Sequence, residues 1–120
     1  MTNVERVLEN NAAADERMRR QAVAAVLATP EGRTLYRWIE DASGVWDADV
    51  PADGQERTAW IGKRALGVFL LSAMRDCDLE DCLRAERERA DIAMARGAEL
   101  EQARRDDLIS TSNPNHQPQD

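Results

Sequence analysis

Residues 60–74 read WIGKRALGVFLLSAM, and from Ala65 to Met74 only Ser72 is polar. A helix that is apolar on every side is normally buried on every side. In a chain of 120 residues this stretch is expected to be a central core helix around which the other segments pack. It carries Gly62 and Gly67, and a glycine inside a helix costs about 1 kcal/mol relative to alanine. Both glycines are therefore expected where another backbone comes close.

The length suggests one helical domain over residues 1–109 with a core over 22–88, followed by a polar tail at 110–120. Hydrophobic residues make up 42%, aromatic residues only 4% and charged residues 32%, a balance that suits helices with narrow apolar stripes and long solvated faces. The formal net charge is -7. No basic cluster outweighs its acidic neighbours, so specific nucleic-acid binding is not expected. Cys77 and Cys82 do not have the spacing of a zinc or redox motif; on one helix they would point about 140° apart, and they are expected to be reduced thiols. No basic-then-apolar signal opens the chain, and its longest apolar run falls short of the ~20 residues that span a bilayer. A soluble protein made in the cytoplasm, with no membrane association of its own, is expected.

Residues 3–28 read as a long helix. Val4, Val7, Asn11, Ala14, Met18 and Ala25 keep a seven-residue rhythm that Gln21 completes, a thin stripe suited to one partner helix. Two readings stay open: a seam with another chain, in which Asn11 sets register, or an alanine-rich helix docked on its own domain. From Ala22 to Leu27 the apolar face widens, so this end is expected to join the core. Thr29 and Pro30 then form a helix start, with threonine as the cap and proline at the first helical position. On this second helix Leu35, Trp38, Ile39 and Ala42 share one face; Arg33, Arg37, Glu40 and Asp41 lie off it. Gly44 is placed as a left-handed stop. In the loop that follows, GVWDADVPAD (44–53), Trp46 is expected to fold back onto the core; the alternative is an aromatic side chain that meets a partner.

Asp53 and Glu56 are spaced as a capping pair for the third helix. Arg57, Lys63 and Arg64 at its front are expected to anchor on Glu31, Glu40 or Asp41 of the second helix. Asp78 caps a fourth helix over 79–107. Leu83, Ala90, Ala93, Gly97 and Leu100 again keep a seven-residue rhythm, broken by Glu86. This small-residue stripe is expected to pack on another helix, from this chain or another subunit; the alternative is a solvated single helix held by charge pairs. The segment STSNPNHQPQD (110–120) is expected to be flexible.

His116, the sole histidine, falls in that tail, where nothing positions it as a base. No Ser/His/Asp or Cys/His set assembles, the glycines form no phosphate-cradling loop and no calcium-loop pattern is present. No catalytic residue, metal or cofactor is expected, and the chain is not expected to be an enzyme.

The segments ATPEGRTLYRWIEDASGVW (28–46) and WIGKRALGVFLLSAMRDCDLEDCLRAERE (60–88) resemble the Bbp-nineteen-type family, small proteins encoded in the head-and-portal gene clusters of tailed bacteriophages. The resemblance rests on Pro30, Gly32, Arg33, Leu35, Trp38 and Gly44, then on Gly62, Arg64, Gly67, Leu70, Leu71 and the capped helix start at Asp78. It covers about half of the chain and implies a non-catalytic structural or morphogenesis protein of the virion.

Together these observations predict an all-α protein, a compact helical centre with long amphipathic helices at both termini. It is expected in many copies at the portal vertex, in the head interior or in the DNA-ejection apparatus. Its expected partners are portal, capsid, ejection or tail proteins and further copies of itself. The candidate interface residues are Val4, Val7, Asn11, Met18, Trp46, Leu83, Ala90, Ala93, Gly97 and Leu100. Two alternatives are a scaffolding or assembly chaperone lost on maturation and a small acidic regulatory protein that binds a host or phage protein.

Overall fold

The computed structural model describes residues 1–47 and 49–112; the expected tail from residue 113 onward, with His116, lies outside the described residues. Among the described residues the chain is all-α, with α1 at Asn3–Leu27, α2 at Pro30–Ser43, α3 at Gly54–Cys77 and α4 at Leu79–Ser112. Each boundary has a local chemical cause. Thr2 caps α1 and closes a reciprocal box with Glu5. Thr29 is extended, as a residue before proline must be, and its hydroxyl accepts from the Gly32 N–H at 3.0 Å. Gly44 ends α2 at φ +72, a left-handed conformation that glycine adopts without steric cost. The Asp53 carboxylate accepts from the Glu56 N–H at 3.0 Å, and Asp78 does the same for Asp81 at 3.1 Å. The fourth helix continues to Ser112, past the expected end at 107, so residues 110–112 are helical rather than tail.

The structure falls into two units, Met1–Glu86 and Arg87 onward. In the first, the buried apolar core consists of Leu27, Tyr36, Leu71, Cys82 and Ala85, with Val23, Ile39, Val45 and Met74 against it. The end of α1, the middle of α2, the second half of α3 and the start of α4 therefore share a small core. In the second unit, residues 87–112 continue as helix. Its exposed surface carries charge pairs such as Glu101 with Arg105 at 3.6 Å, and Ala90, Ala93, Gly97 and Leu100 are exposed. No helix of the described residues is long and apolar enough to cross a membrane.

The expectation that α3 is enclosed is corrected. Only Gly67 and Leu71 are buried on it, while Ile61, Leu66, Val68, Phe69 and Leu70 are exposed. The cause is geometric: α2 has 14 residues and α3 has 24, about 21 Å against 36 Å. The shorter helix covers one side of part of the longer one. The expected close approach holds at Gly67, where an added Cβ would overlap the Cβ and Oγ of Ser43. It does not hold at Gly62, which faces open space.

These two glycines make a matched test. Gly67→Ala should lower stability by about 1–3 kcal/mol through overpacking. Gly62→Ala should raise it by about 0.5–1 kcal/mol through helix propensity alone. Thermal melts of the two variants should move in opposite directions.

Candidate protein-interaction surface

The polar side chains of α2 decide which way this helix faces. Arg33, Tyr36, Glu40 and Ser43 are buried, spaced at i, i+3, i+7 and i+10, so they form one helical face. The Tyr36 hydroxyl accepts from Arg75 Nε of α3 at 2.7 Å. Arg75 Nη2 also reaches Glu40 Oε2 at 3.4 Å, and Glu40 is wholly buried. Arg33, 3% exposed, donates from Nη1 to the Leu27 carbonyl at 3.0 Å, at the last residue of α1. Arg37 donates to the Ala85 carbonyl of α4 at 3.5 Å. One face of α2 is thus fastened to each of the other three helices. A separate clamp joins α1 to the end of α3: Arg20 donates to the Asp76 carboxylate at 3.1 Å and to its carbonyl at 3.2 Å.

Burial pushes the Tyr36 phenol up to about 12, against the opposing pull of its Arg75 hydrogen bond. The Arg75 guanidinium is raised, chiefly by that same hydrogen bond to Tyr36. Burial also pushes the Cys82 thiol up, which keeps it protonated and unreactive at neutral pH. These groups hold helices together, and none lines an open groove except Arg75.

With the polar face of α2 turned inward, its apolar stripe faces out. Leu35 is exposed, Trp38 is 64% exposed and Leu66 of α3 is 59% exposed. Between the two helices lies an open groove of about 300 Å³, walled by Trp38, Ile39, Ala42, Leu66 and Leu70. Gly67 and Ser43 form its floor and Lys63 lines it as its cation. The other side of α3 carries a second open depression, of about 450 Å³, lined by Trp60, Ile61, Arg64, Ala65 and Val68. A smaller one beside it is shared by Val45, Trp46, Val68 and Arg75. Leu35, Trp38, Trp46, Ile61, Leu66, Val68, Phe69 and Leu70 are all 40% exposed or more. At ~150–250 Å² per large apolar side chain, Leu35, Trp38, Leu66 and Leu70 on the groove side present on the order of 400 Å², the size of the largest apolar patch on an ordinary monomer.

The residues singled out from the sequence therefore divide. Pro30, Gly32 and Arg33 build the α1–α2 junction, and an added Cβ at Gly32 would strike the Val26 carbonyl. Gly67 and Leu71 are in the core. Leu35, Trp38 and Leu70, expected inside, are on the exposed surface. Arg64 does not anchor on an acid of α2 but lies 5.4 Å over the Trp60 ring. Arg57 donates to the Pro51 carbonyl at 3.2 Å. The arginine that meets Glu40 is Arg75. Trp46 does not fold back into the core: it is exposed, and its neighbour Val45 packs there instead. Val4, Val7, Asn11 and Met18 are exposed along α1, and Leu83 is exposed on α4.

Tyr36, Ser43 and Arg75 carry no expectation from the sequence, and Glu40 only that of a partner for Arg57, Lys63 or Arg64, although Tyr36, Glu40 and Ser43 keep the same helical period as the apolar stripe. That periodicity, in polar residues, was the available signal. Among the described residues no group of three His, Cys, Asp or Glu is placed to hold a metal ion. No family model, curated protein or solved structure matches the chain.

Tyr36 is the sole tyrosine, so tyrosinate absorbance reads it alone. Its folded pKa lies above the ordinary value of 10.0, so the folded state binds more protons between about pH 10 and 12 and stability should fall as pH rises through that window. The native absorbance should titrate near 12 and the unfolded chain's near 10. Arg75→Met should cost about 1–3 kcal/mol in denaturant unfolding, whereas Arg64→Met should cost less than about 1 kcal/mol.

Proposed function

We propose that this chain is a non-catalytic structural or morphogenesis component of a tailed-bacteriophage particle. It is present in many copies and works by presenting the α2–α3 surface to neighbouring subunits. The observation that carries this reading is the contiguous apolar surface around Trp38, Leu66 and Leu70, which the chain's own helices leave uncovered. The largest apolar patch of a monomer is often a functional surface. The family resemblance lends support from a second direction. Of the residues that carry it, Gly32, Arg33, Gly67 and Leu71 set the helix packing, while Leu35, Trp38 and Leu70 are on the outer surface. A motif that contains both sets suits a docking platform better than a core alone. Placement at the portal vertex, in the head interior or in the ejection apparatus follows from the resemblance, with portal, capsid, ejection or tail proteins as neighbours. The negative net charge limits unwanted contact with packaged DNA.

A scaffolding role, with loss of the protein on maturation, is the second reading. The open apolar groove favours it, because a transient assembly contact must also be exposed in the free subunit.

Mass spectrometry of mature particles and precursor heads tests the proposal. The chain should be found in mature particles; presence in precursor heads alone would select the scaffolding role, and absence from both would overturn assembly function. Trp38→Ala should weaken subunit association by about 2–4 kcal/mol, as an exposed aromatic anchor would. Being exposed, it should leave the melting temperature of the isolated chain nearly unchanged.

A further inference from the structure

We propose that the outer side of α3 pairs with α3 of a second copy of this chain, antiparallel about a twofold axis between Gly62 and Leu66. This rests on the reading of the α2–α3 surface as the working surface, since Leu66 belongs to both, and names what covers its α3 side.

The side of α3 turned away from the core carries Gln55, Ala59, Gly62, Leu66, Phe69 and Ala73. Their spacing alternates four and three, the seam of a helix pair. Leu66 lies about 140° round the helix from buried Leu71. The first five are exposed and Ala73 is half-buried; Leu66 and Phe69 are 59% and 69% exposed. Thr58, Ala65 and Ser72 flank the seam on one side. None of these residues is charged, in a chain that is 32% charged, whereas a helix face that stays in water is normally charged or polar. The seam is readable only once Gly67 and Leu71 fix the side of α3 that faces inward.

No other helix of the first unit covers the seam. The α2 helix lies on the Gly67 side. Leu27 of α1 shares the core with Leu71, and farther back along α1 Arg20 meets Asp76. Toward its N-terminus α1 therefore runs toward the C-terminal end of α3, and its exposed first half continues past that end, away from Gly62 and Leu66.

Side-chain size selects a second copy. The small residues of the seam lie in its first half and the large ones in its second. A copy turned end for end sets Gly62 against Leu66, Ala59 against Phe69 and Gln55 against Ala73, so the two central layers on either side of the axis each join a small side chain to a large one. A parallel copy sets Gly62 on Gly62 and Phe69 on Phe69, a void and a collision. An antiparallel copy moved by one heptad sets Leu66 on Phe69 and Gly62 on Ala73. A face built for an unrelated protein needs no such match between its own two halves. Leu66, Phe69 and the flanking Leu70 are 59%, 69% and 40% exposed, which is about 250–400 Å² at ~150–250 Å² per large side chain. With the small side chains between them, each copy offers on the order of 600 Å², the low end for a specific pair. Because each copy uses the same patch, the contact closes as a dimer. On the other flank of the seam the Lys63 side chains of the two copies come together near the axis, a like-charged pair.

Sedimentation equilibrium on the full chain tests the pair with two substitutions that the isolated fold accommodates, since Gly62 faces open space and Leu66 is exposed; circular dichroism verifies that each variant keeps its helices. At about 100 μM the wild type should be a dimer, with the micromolar dissociation constant that an interface of this size gives. Gly62→Leu sets leucine against leucine in both central layers, and Leu66→Ala leaves glycine against alanine. Each should raise the dissociation constant at least about tenfold. The double variant Gly62→Leu with Leu66→Ala exchanges the two roles and should dimerise within about threefold of the wild type. An equimolar mixture of the two single variants should form a heterodimer, because each layer again joins one large and one small side chain. Raising salt from about 0.05 to 0.5 M should tighten the wild-type dimer, because the Lys63 pair and the net charge of -7 on each copy are screened. The inference is overturned if the wild type stays monomeric, if Gly62→Leu tightens the pair, as it would in a parallel one, if neither the double variant nor the mixture recovers the dimer, or if salt dissociates it. Particle incorporation separates the two levels. A chain that dimerises in this way but is absent from mature particles and precursor heads sinks the assembly role and leaves the pair. A chain found in particles but monomeric in solution sinks the pair alone.

Discussion

The contact of half-exposed Arg75 with buried Tyr36 and Glu40 sets the orientation of α2, and the outer surface follows from it. Taking a carboxylate wholly out of water carries a desolvation cost of several kcal/mol unless a cation and hydrogen bonds offset it. Arg75 provides that offset from α3, with Tyr36 positioning its guanidinium from the other side. Once Glu40 is inside, the helical period brings Arg33 and Ser43 inside with it and sends Leu35 and Trp38 out. Ser43 then meets Gly67, where the missing side chain lets α2 approach α3 closely.

On hydrophobic grounds this orientation is a trade for a lone chain: it buries Tyr36 and half-buries Ile39 but leaves Leu35 and Trp38 out. Rotating α2 would bury Trp38 and Leu35, each worth about 1.5–3 kcal/mol, and would free Glu40 and Arg33 to water. The polar fastening instead holds a large apolar face toward solvent in a fixed geometry. Under the proposed function that surface would be buried between subunits, where the same free energy would drive association.

Most helix boundaries, though not the C-terminal end of α4, were legible in the sequence because caps act locally. Thr29 with Pro30, Gly44, Asp53 with Glu56, and Asp78 each satisfy or stop a helix end within four residues, and neighbouring residues suffice to see them. What lay beyond the sequence was which face of each helix turns inward. Hydropathy shows that Leu35, Trp38 and Ile39 share a face, but the same stripe serves a core or an interface. Gly62 and Gly67 are identical as letters, and only the crossing of α2 over one of them tells them apart. Arg64 and Arg75 differ in the same way: both flank the apolar stretch, but only the second lies one helix face away from Glu40. The groove was hidden for a related reason, since its walls come from two helices whose relative rotation depends on that contact.

The small core bears on how folding and assembly are coupled. Five fully buried apolar residues drawn from four helices give the first unit limited apolar burial, and small domains with little buried surface are marginal. A partner that binds only the folded state stabilises it by mass action, in proportion to the logarithm of its concentration over the dissociation constant. The groove exists only when α2 and α3 are docked through Arg75, Tyr36 and Glu40, so any occupant of the groove binds the folded state selectively. Association at Trp38, Leu66 and Leu70, as proposed, would therefore reinforce the polar contact that creates the site, and the unfolded chain, lacking the groove, would have no equivalent gain.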